Sequence, residues 1–260
     1  LWRTGDLHFG RNPLGNIAKT FDEMRSPSFL RLWFGNPELQ YKDDEGKVLR
    51  VENEQTTERE FLFAVGRAIW TTFVIATVGT FVGCIISFPF AIVRARNTRF
   101  PRWMYLGAKG VLDTQRSIHT LVFGLFLVGI VGLGPMAGVL AIAFHCSGTM
   151  GKLFAEAIES IDPNSIELVR AAGANRAQVI SWGVLPALMS QVVSTVLYIW
   201  EFNIRDSTVL GLIGAGGLGL LFSEAVSLFQ WARLSTLIMV TVLMVWLFDY
   251  ASSRIRRVLL

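Results

Sequence analysis

The sequence predicts an all-α polytopic membrane protein, and three observations lead there. Of its 260 residues, 52% are hydrophobic and only 17% are charged. Those charges are gathered into a few stretches with long apolar runs between them, unlike the evenly charged surface of a soluble domain. One such run, residues 70–93, holds a single proline and no charged side chain, long enough to cross a hydrocarbon core of about 30 Å.

Apolar length and flanking charge give about five spans. The first covers residues 68–93 and ends at Arg94 and Arg96, with Arg99 and Arg102 in the same short loop. A polar, amphipathic lead-in at 103–116 precedes the second span, 117–133. The third runs from Pro135 to Glu159, and a polar segment at 160–178 separates it from the fourth, about 181–203. The fifth, about 233–253, ends in Arg254, Arg256 and Arg257.

Residues 1–65 differ in character. Asn-Pro and Ser-Pro turn signals, the mixed-charge run at 42–47 and the Glu-rich approach from Glu52 to Glu60 predict a water-exposed segment. Within it, the aromatic stretch 29–34 is too short to cross and is of the composition found at headgroup depth. Membrane orientation follows from the arginines. If the loop 94–102 is cytoplasmic, alternate crossings also place the segment around Arg170–Arg176 and the tail from Arg254 on the cytoplasmic side, as the positive-inside rule requires. The same count puts residues 1–65 outside. An extracytoplasmic segment of that length needs a leading helix or signal, so an upstream span is expected before Leu1.

The net charge of +4 does not indicate a nucleic-acid partner, because the arginines flank apolar segments and form no basic stripe with interleaved aromatics. Cys84 and Cys146 both sit inside apolar segments and read as small packing residues.

The polar interruption after the third span carries the most information. Asp162-Pro163 is a turn or helix-start signal, Asn164 or Ser165 can cap a short helix, and Glu167 then lies near the positive end of its dipole. Gly173 permits a bend or a close approach, and Pro186 stands where a transmembrane helix tolerates proline. Glu167, Gly173, Leu185 and Pro186 have the spacing of the EAA loop, and the chain thereby resembles the permease subunits of binding-protein-dependent ABC importers. It departs from that pattern at Leu168, Val169 and Gly183.

The resemblance covers about residues 66–256, ending just before a short tail at 257–260, and its finer features look like the phosphonate-import branch: the segment from Val131 to Ala141, the run Glu167 to Ala174, and the block from Trp200 to Gly219. It implies a type I importer core working as a homodimer in the bacterial cytoplasmic membrane, with two ATP-binding subunits and an extracytoplasmic solute-binding protein. It also implies that the loop at about 160–178 is a coupling helix, with Glu167, Arg170, Ala171, Gly173, Ala174, Leu185 and Pro186 serving contact with the ATPase. The implied cargo is phosphonate or a related phosphorus oxyanion, phosphate or phosphite. ATP and Mg would be used by the partner, and the chain itself would bind no cofactor. An importer permease for another small solute, such as an amino acid, is the alternative. An ion-coupled secondary transporter fits less well, since the mid-spans are nearly free of Asp and Glu.

The block 214–219 also matches GxGxxG, but no strand precedes it, and Met239-Val240 stand where a dinucleotide site needs an acidic residue. No Lys-Ser or Lys-Thr follows, so it is not a Walker loop. Two readings of Gly214, Gly216 and Gly217 stand: an external re-entrant turn, or close helix packing by small residues.

Charges near the spans come next, because a charge in hydrocarbon costs several kcal/mol and faces a cavity or a partner. Asp113 and Arg116 have the spacing of a helical ion pair. His119 is either a packing histidine or a pathway donor to an oxyanion. Glu201, Asn203, Arg205 and Asp206 cluster at the outer end of the fourth span, where Arg205 either meets an anionic solute or the binding protein, or pairs locally with Glu201 or Asp206. His8, His119 and His145 fall in no metal-ligand motif, and no serine has a nucleophile elbow around it, so neither metal binding nor catalysis is expected of this chain.

Overall fold

The computed structural model describes residues 20–22, 24–25, 27–30, 39–42, 48–52, 54–96, 100–161, 171–175, 178, 181 and 185–259. Its elements are a hairpin, β1 (Leu39–Lys42) and β2 (Val48–Glu52), followed by helices α1 (Glu54–Arg94), α2 (Arg102–Ser117), α3 (Thr120–Val131), α4 (Pro135–Glu159), α5 (Leu185–Leu210), α6 (Leu218–Ser227) and α7 (Trp231–Leu259), with a π-helical turn at Gly211–Ala215 between α5 and α6. The helical fold class stands, and the antiparallel hairpin, with Leu39 opposite Glu52 and Tyr41 opposite Arg50, is an addition to it within the N-terminal segment.

Among the described residues, three helices are long and apolar enough to cross a membrane: Glu58–Arg94, Pro135–Glu159 and Trp231–Arg257. Counting each of two bent pairs as one span gives the expected five. In one, α2 meets α3 at 92°; in the other, α5 with its π turn meets α6 at 56°. The boundaries differ from the sequence expectation in instructive ways. α1 begins at Glu54, so the polar approach is the first turns of the helix that later becomes apolar. The second span is not one helix over 117–133. It breaks at Ile118 and His119, and α3 has only 12 residues, about 18 Å of length.

By contact density the chain divides into two units, Leu1–Ile69 with Leu221–Leu243, and Trp70–Leu220 with Met244–Leu260. In the first, Ser28 donates its backbone N–H to Thr236 Oγ1 at 2.8 Å. Glu58, with a side chain only 7% exposed, meets Arg233 Nε at 3.5 Å, and the Arg233 guanidinium lies 4.9 Å from the centre of the Phe61 ring.

The second unit is organised on α4. Its buried face reads Ala137, Gly138, Ala141, Ile142, Cys146, Gly148, Met150, Gly151 and Phe154, a stripe of small residues broken by a few large ones. Small residues let helix backbones approach where lipid supplies no hydrophobic drive to associate. At Gly148 the backbones of α4 and α2 come close: a Cβ there would stand 2.8 Å from the Leu112 carbonyl oxygen and the Arg116 nitrogen of α2. α3 and α5 also pack on α4. Both cysteines are free; Cys146 is buried in this core and Cys84 packs against it, as expected of packing residues. Large apolar side chains such as Val122, Leu125 and Phe126 of α3 and Trp246 of α7 are exposed, a surface of the kind that meets lipid or another protein.

Candidate translocation site

The ends of the helices in the second unit are tied in two groups. At one end, the Arg96 backbone N–H donates to Glu159 Oε1 at 2.8 Å, joining the exit of α1 to the last turn of α4. A hydrogen bond to Tyr105 and the nearby Glu159 charge hold the exposed Arg96 guanidinium more firmly in its charged form. Arg94 reaches Asp113 of α2 at 3.0 Å, while Arg116 stands 3.9 Å from the same oxygen. The expected Asp113–Arg116 pair exists, but Arg94, 19 residues away in sequence, is the closer partner.

At the other end, the Gly134 N–H donates to the Gly214 carbonyl at 2.9 Å, so the turn before α4 and the glycine-rich block meet. Gly214, Gly216 and Gly217 all have left-handed φ, of 95°, 86° and 73°. At Gly217 a side chain would strike Thr72 Oγ1 as well as being strained. Thr72 is buried and holds this end twice over: its hydroxyl oxygen accepts from the Leu218 N–H at 2.9 Å, the otherwise unpaired start of α6, and its carbonyl accepts from Ser207 Oγ at 3.2 Å. The backbones of Gly211 and Gly219 also touch, for a Cβ on Gly211 would lie 2.6 Å from Gly219 Cα. The glycine block thus combines a sharp turn with close backbone packing.

Between these ends lies a polar layer. Thr80 donates to the Ala76 carbonyl at 2.6 Å and accepts from Asn203 Nδ2 at 2.8 Å. Trp200 Nε1 donates to Thr77 at 2.9 Å, and Thr120 donates to Asp206 at 2.8 Å. Beside this layer α4 and α5 enclose a recess of about 210 Å³, lined by His145, Cys146, Thr149, Tyr198, Ile199, Phe202 and Asn203. The two histidines serve the corner between α2 and α3. His119 caps α3, its Nδ1 accepting from the Leu121 N–H at 3.2 Å, and His145 Nδ1 stands 2.9 Å from the Ile118 carbonyl oxygen. Their rings are 6.4 Å apart.

The structure therefore brings together part of what the sequence proposed. Asn203 is a buried member of the polar layer and lines the recess. Arg205 forms the local pair, 2.7 Å from Glu201, with Asp249 at 3.9 Å. His119 takes the helix-capping role. His145, Thr149 and Tyr198 were missed; a histidine in mid-span is itself the signal that points to them. Glu167 and Arg170 lie outside the described residues, as do the side chain of Leu185 and most of the segment 160–178. Ala171, Gly173 and Ala174 are described, Gly173 with φ of 82° and open space around it, and Pro186 is exposed in the first turn of α5.

Residues 83–260 match the family described as the inner membrane component of binding-protein-dependent transport systems. The chain belongs to this family. The permease is 43% identical over 189 residues to the putative phosphite transport system permease protein HtxC of Stutzerimonas stutzeri, covering 73% of this chain and 67% of that one. It is 37% identical over 191 residues to the phosphite transport system permease protein PtxC of the same organism, covering 74% and 70%. Among solved structures, the permease is similar to a chain of the inward-facing MetNI methionine ABC transporter, with a TM-score of 0.68 at 22% identity over 77% of this chain and 98% of that one. That likeness places the fold with ABC importer permeases. The chain is a non-enzymatic transmembrane component of such a system.

Proposed function

We propose that the permease carries phosphite, phosphonate or phosphate into a bacterial cytoplasm by alternating access, as a homodimer driven by two separate ATPase subunits that use ATP and Mg. Its similarity to the phosphite transport permeases, at 43% and 37% identity over nearly three quarters of the chain, carries this reading. An extracytoplasmic binding protein delivers the solute and the route lies between the two copies.

Orientation rests on the arginines. Arg94, Arg96 and the tail Arg254, Arg256 and Arg257 mark the cytoplasmic ends, and the Arg96–Glu159 bond supports this by holding the ends of α1 and α4 together. The glycine-rich turn then faces outward. The segment 160–178 is the coupling loop, with Glu167, Arg170, Ala171, Gly173 and Ala174 engaging the ATPase and Leu185 and Pro186 passing its movement to α5. Such a loop drives transport only through contacts that differ between the two states of the ATPase.

The test is reconstitution in proteoliposomes with ATPase and binding-protein subunits, reading solute-stimulated ATP hydrolysis with phosphite, methylphosphonate, phosphate and an amino acid. Stimulation by a phosphorus oxyanion, lost in Glu167→Ala, supports the proposal. Stimulation by the amino acid alone refutes the cargo, and stimulation that survives Glu167→Ala refutes the coupling role.

A further inference from the structure

The recess between α4 and α5 carries polar groups that the fold itself does not use. His145 lies about 15 Å along α4 from its Pro135 end, at 1.5 Å per residue. That is close to the middle of a hydrocarbon core of about 30 Å. At such depth a polar side chain without a partner costs free energy, so those present face a cavity or a ligand.

Some of the lining is satisfied internally. Asn203 is committed to Thr80, and Cys146 packs in the core. Among the described residues, however, neither Thr149 nor Tyr198 hydrogen-bonds through its hydroxyl, and Tyr198 is 58% exposed. His145 adds a third group by a simple chemical constraint. The Ile118 carbonyl 2.9 Å from Nδ1 can only accept, so Nδ1 carries a proton and Nε2 is left for something else.

We propose that this recess is a mid-membrane binding station for a small phosphorus oxyanion, an inference that rests on the cargo assigned above. The monoanion of phosphite or a phosphonate carries one P–OH, that of phosphate two, and each has its negative charge on the remaining oxygens. One P–OH donates to His145 Nε2, and the Thr149 and Tyr198 hydroxyls donate to the anionic oxygens. If Nε2 is itself protonated, the same contact becomes N–H···O⁻ and the geometry is unchanged.

Size agrees. At roughly 30 Å³ per water, about 210 Å³ holds on the order of seven waters, enough for a tetrahedral ion of four or five heavy atoms with part of its hydration, and small beside the roughly 300–1,000 Å³ of drug-sized sites. Among the described residues, none that lines the recess is Lys, Arg, Asp or Glu. The described lining holds an anion by hydrogen bonds, which suits a site that must release its occupant. Arg205 lies on the same stripe of α5 as Tyr198, two helical turns away.

The test uses the complete transporter in proteoliposomes, with uptake of phosphite, methylphosphonate and phosphate measured over a range of binding-protein-delivered concentrations. Asn places its amide nitrogen where His has Nδ1, so His145→Asn keeps the bond to Ile118 and removes Nε2. Gln reaches the Nε2 position and gives up the other. The station predicts at least a tenfold fall in uptake for His145→Asn, a smaller fall for His145→Gln, and at least a tenfold fall for Thr149→Val/Tyr198→Phe. Val122→Ala, on the exposed face of α3, serves as control and stays at wild-type uptake. Wild-type uptake in His145→Asn with loss in His145→Gln would mean that the histidine only anchors the corner, and the inference falls. It falls equally if the double variant stays within twofold of wild type. Failure of the wild type to take up any of the three oxyanions overturns the cargo and this station together, a pattern distinct from the other two.

Discussion

Thr72→Val tests the hinge of the glycine-rich turn with almost no change of shape. The hydroxyl oxygen of Thr72 is the acceptor for the Leu218 N–H, in a site where Thr72 and Leu218 are both fully buried. Valine fills the same volume and leaves that N–H without a partner. An orphaned buried donor costs about 1–3 kcal/mol, so a loss near 2 kcal/mol is expected, a roughly thirtyfold shift in a folding equilibrium. Thr72→Ser keeps the oxygen and removes one buried methyl, worth about 0.8 kcal/mol. The order wild type, Ser, Val in stability is therefore fixed by the geometry. Detergent-micelle unfolding by SDS titration reads it, and limited proteolysis near 211–219 reads whether the turn opens first. If valine is as stable as wild type, or serine is the worse of the two, the hydrogen bond does not hold the turn and the argument fails.

Three further outcomes follow from the same packing. Gly217→Ala should lose more stability than Gly173→Ala in the same titration, because both enforce a left-handed backbone at a cost of about 1 kcal/mol, but only position 217 also drives a side chain into Thr72. Arg94→Gln should destabilise by about 1 kcal/mol and Arg116→Gln by less than about 0.3, since Arg94 holds Asp113 at 3.0 Å and Arg116 only reaches 3.9 Å; equal losses would contradict the assignment. Glu58→Ala leaves Arg233 without its buried carboxylate and should cost about 3 kcal/mol by thermal unfolding, while replacing both by Leu and Met recovers most of it.

The spans were legible because a bilayer imposes length and apolarity on sequence directly. What was not legible arises from contacts distant in the chain. Ser117-Ile118-His119-Thr120 contains no Gly or Pro, so nothing local announces a 92° corner; the corner exists because His119 caps α3 and His145, 26 residues beyond it, stands at the Ile118 carbonyl. Asp113 was paired with Arg116 because helical spacing is visible in sequence, whereas Arg94 reaches it across a loop. In the glycine block, the positive φ at Gly214, Gly216 and Gly217 and the backbone contact between Gly211 and Gly219 come from the folded turn, which a run of glycines does not spell out. His145 was weighed only as a metal ligand, because its neighbours Phe144 and Cys146 make the run look like ordinary core.

The ion pairing of Arg205 has an effect at long range. With Glu201 at 2.7 Å and Asp249 at 3.9 Å, its positive field is cancelled within a few ångströms. A free anion in bulk solution, one Debye length of about 8 Å away at physiological ionic strength, meets no attractive potential from this arginine. Arg205 thus gives this stretch of the permease no means of concentrating anions by electrostatic steering, and its contribution to capture is insensitive to salt.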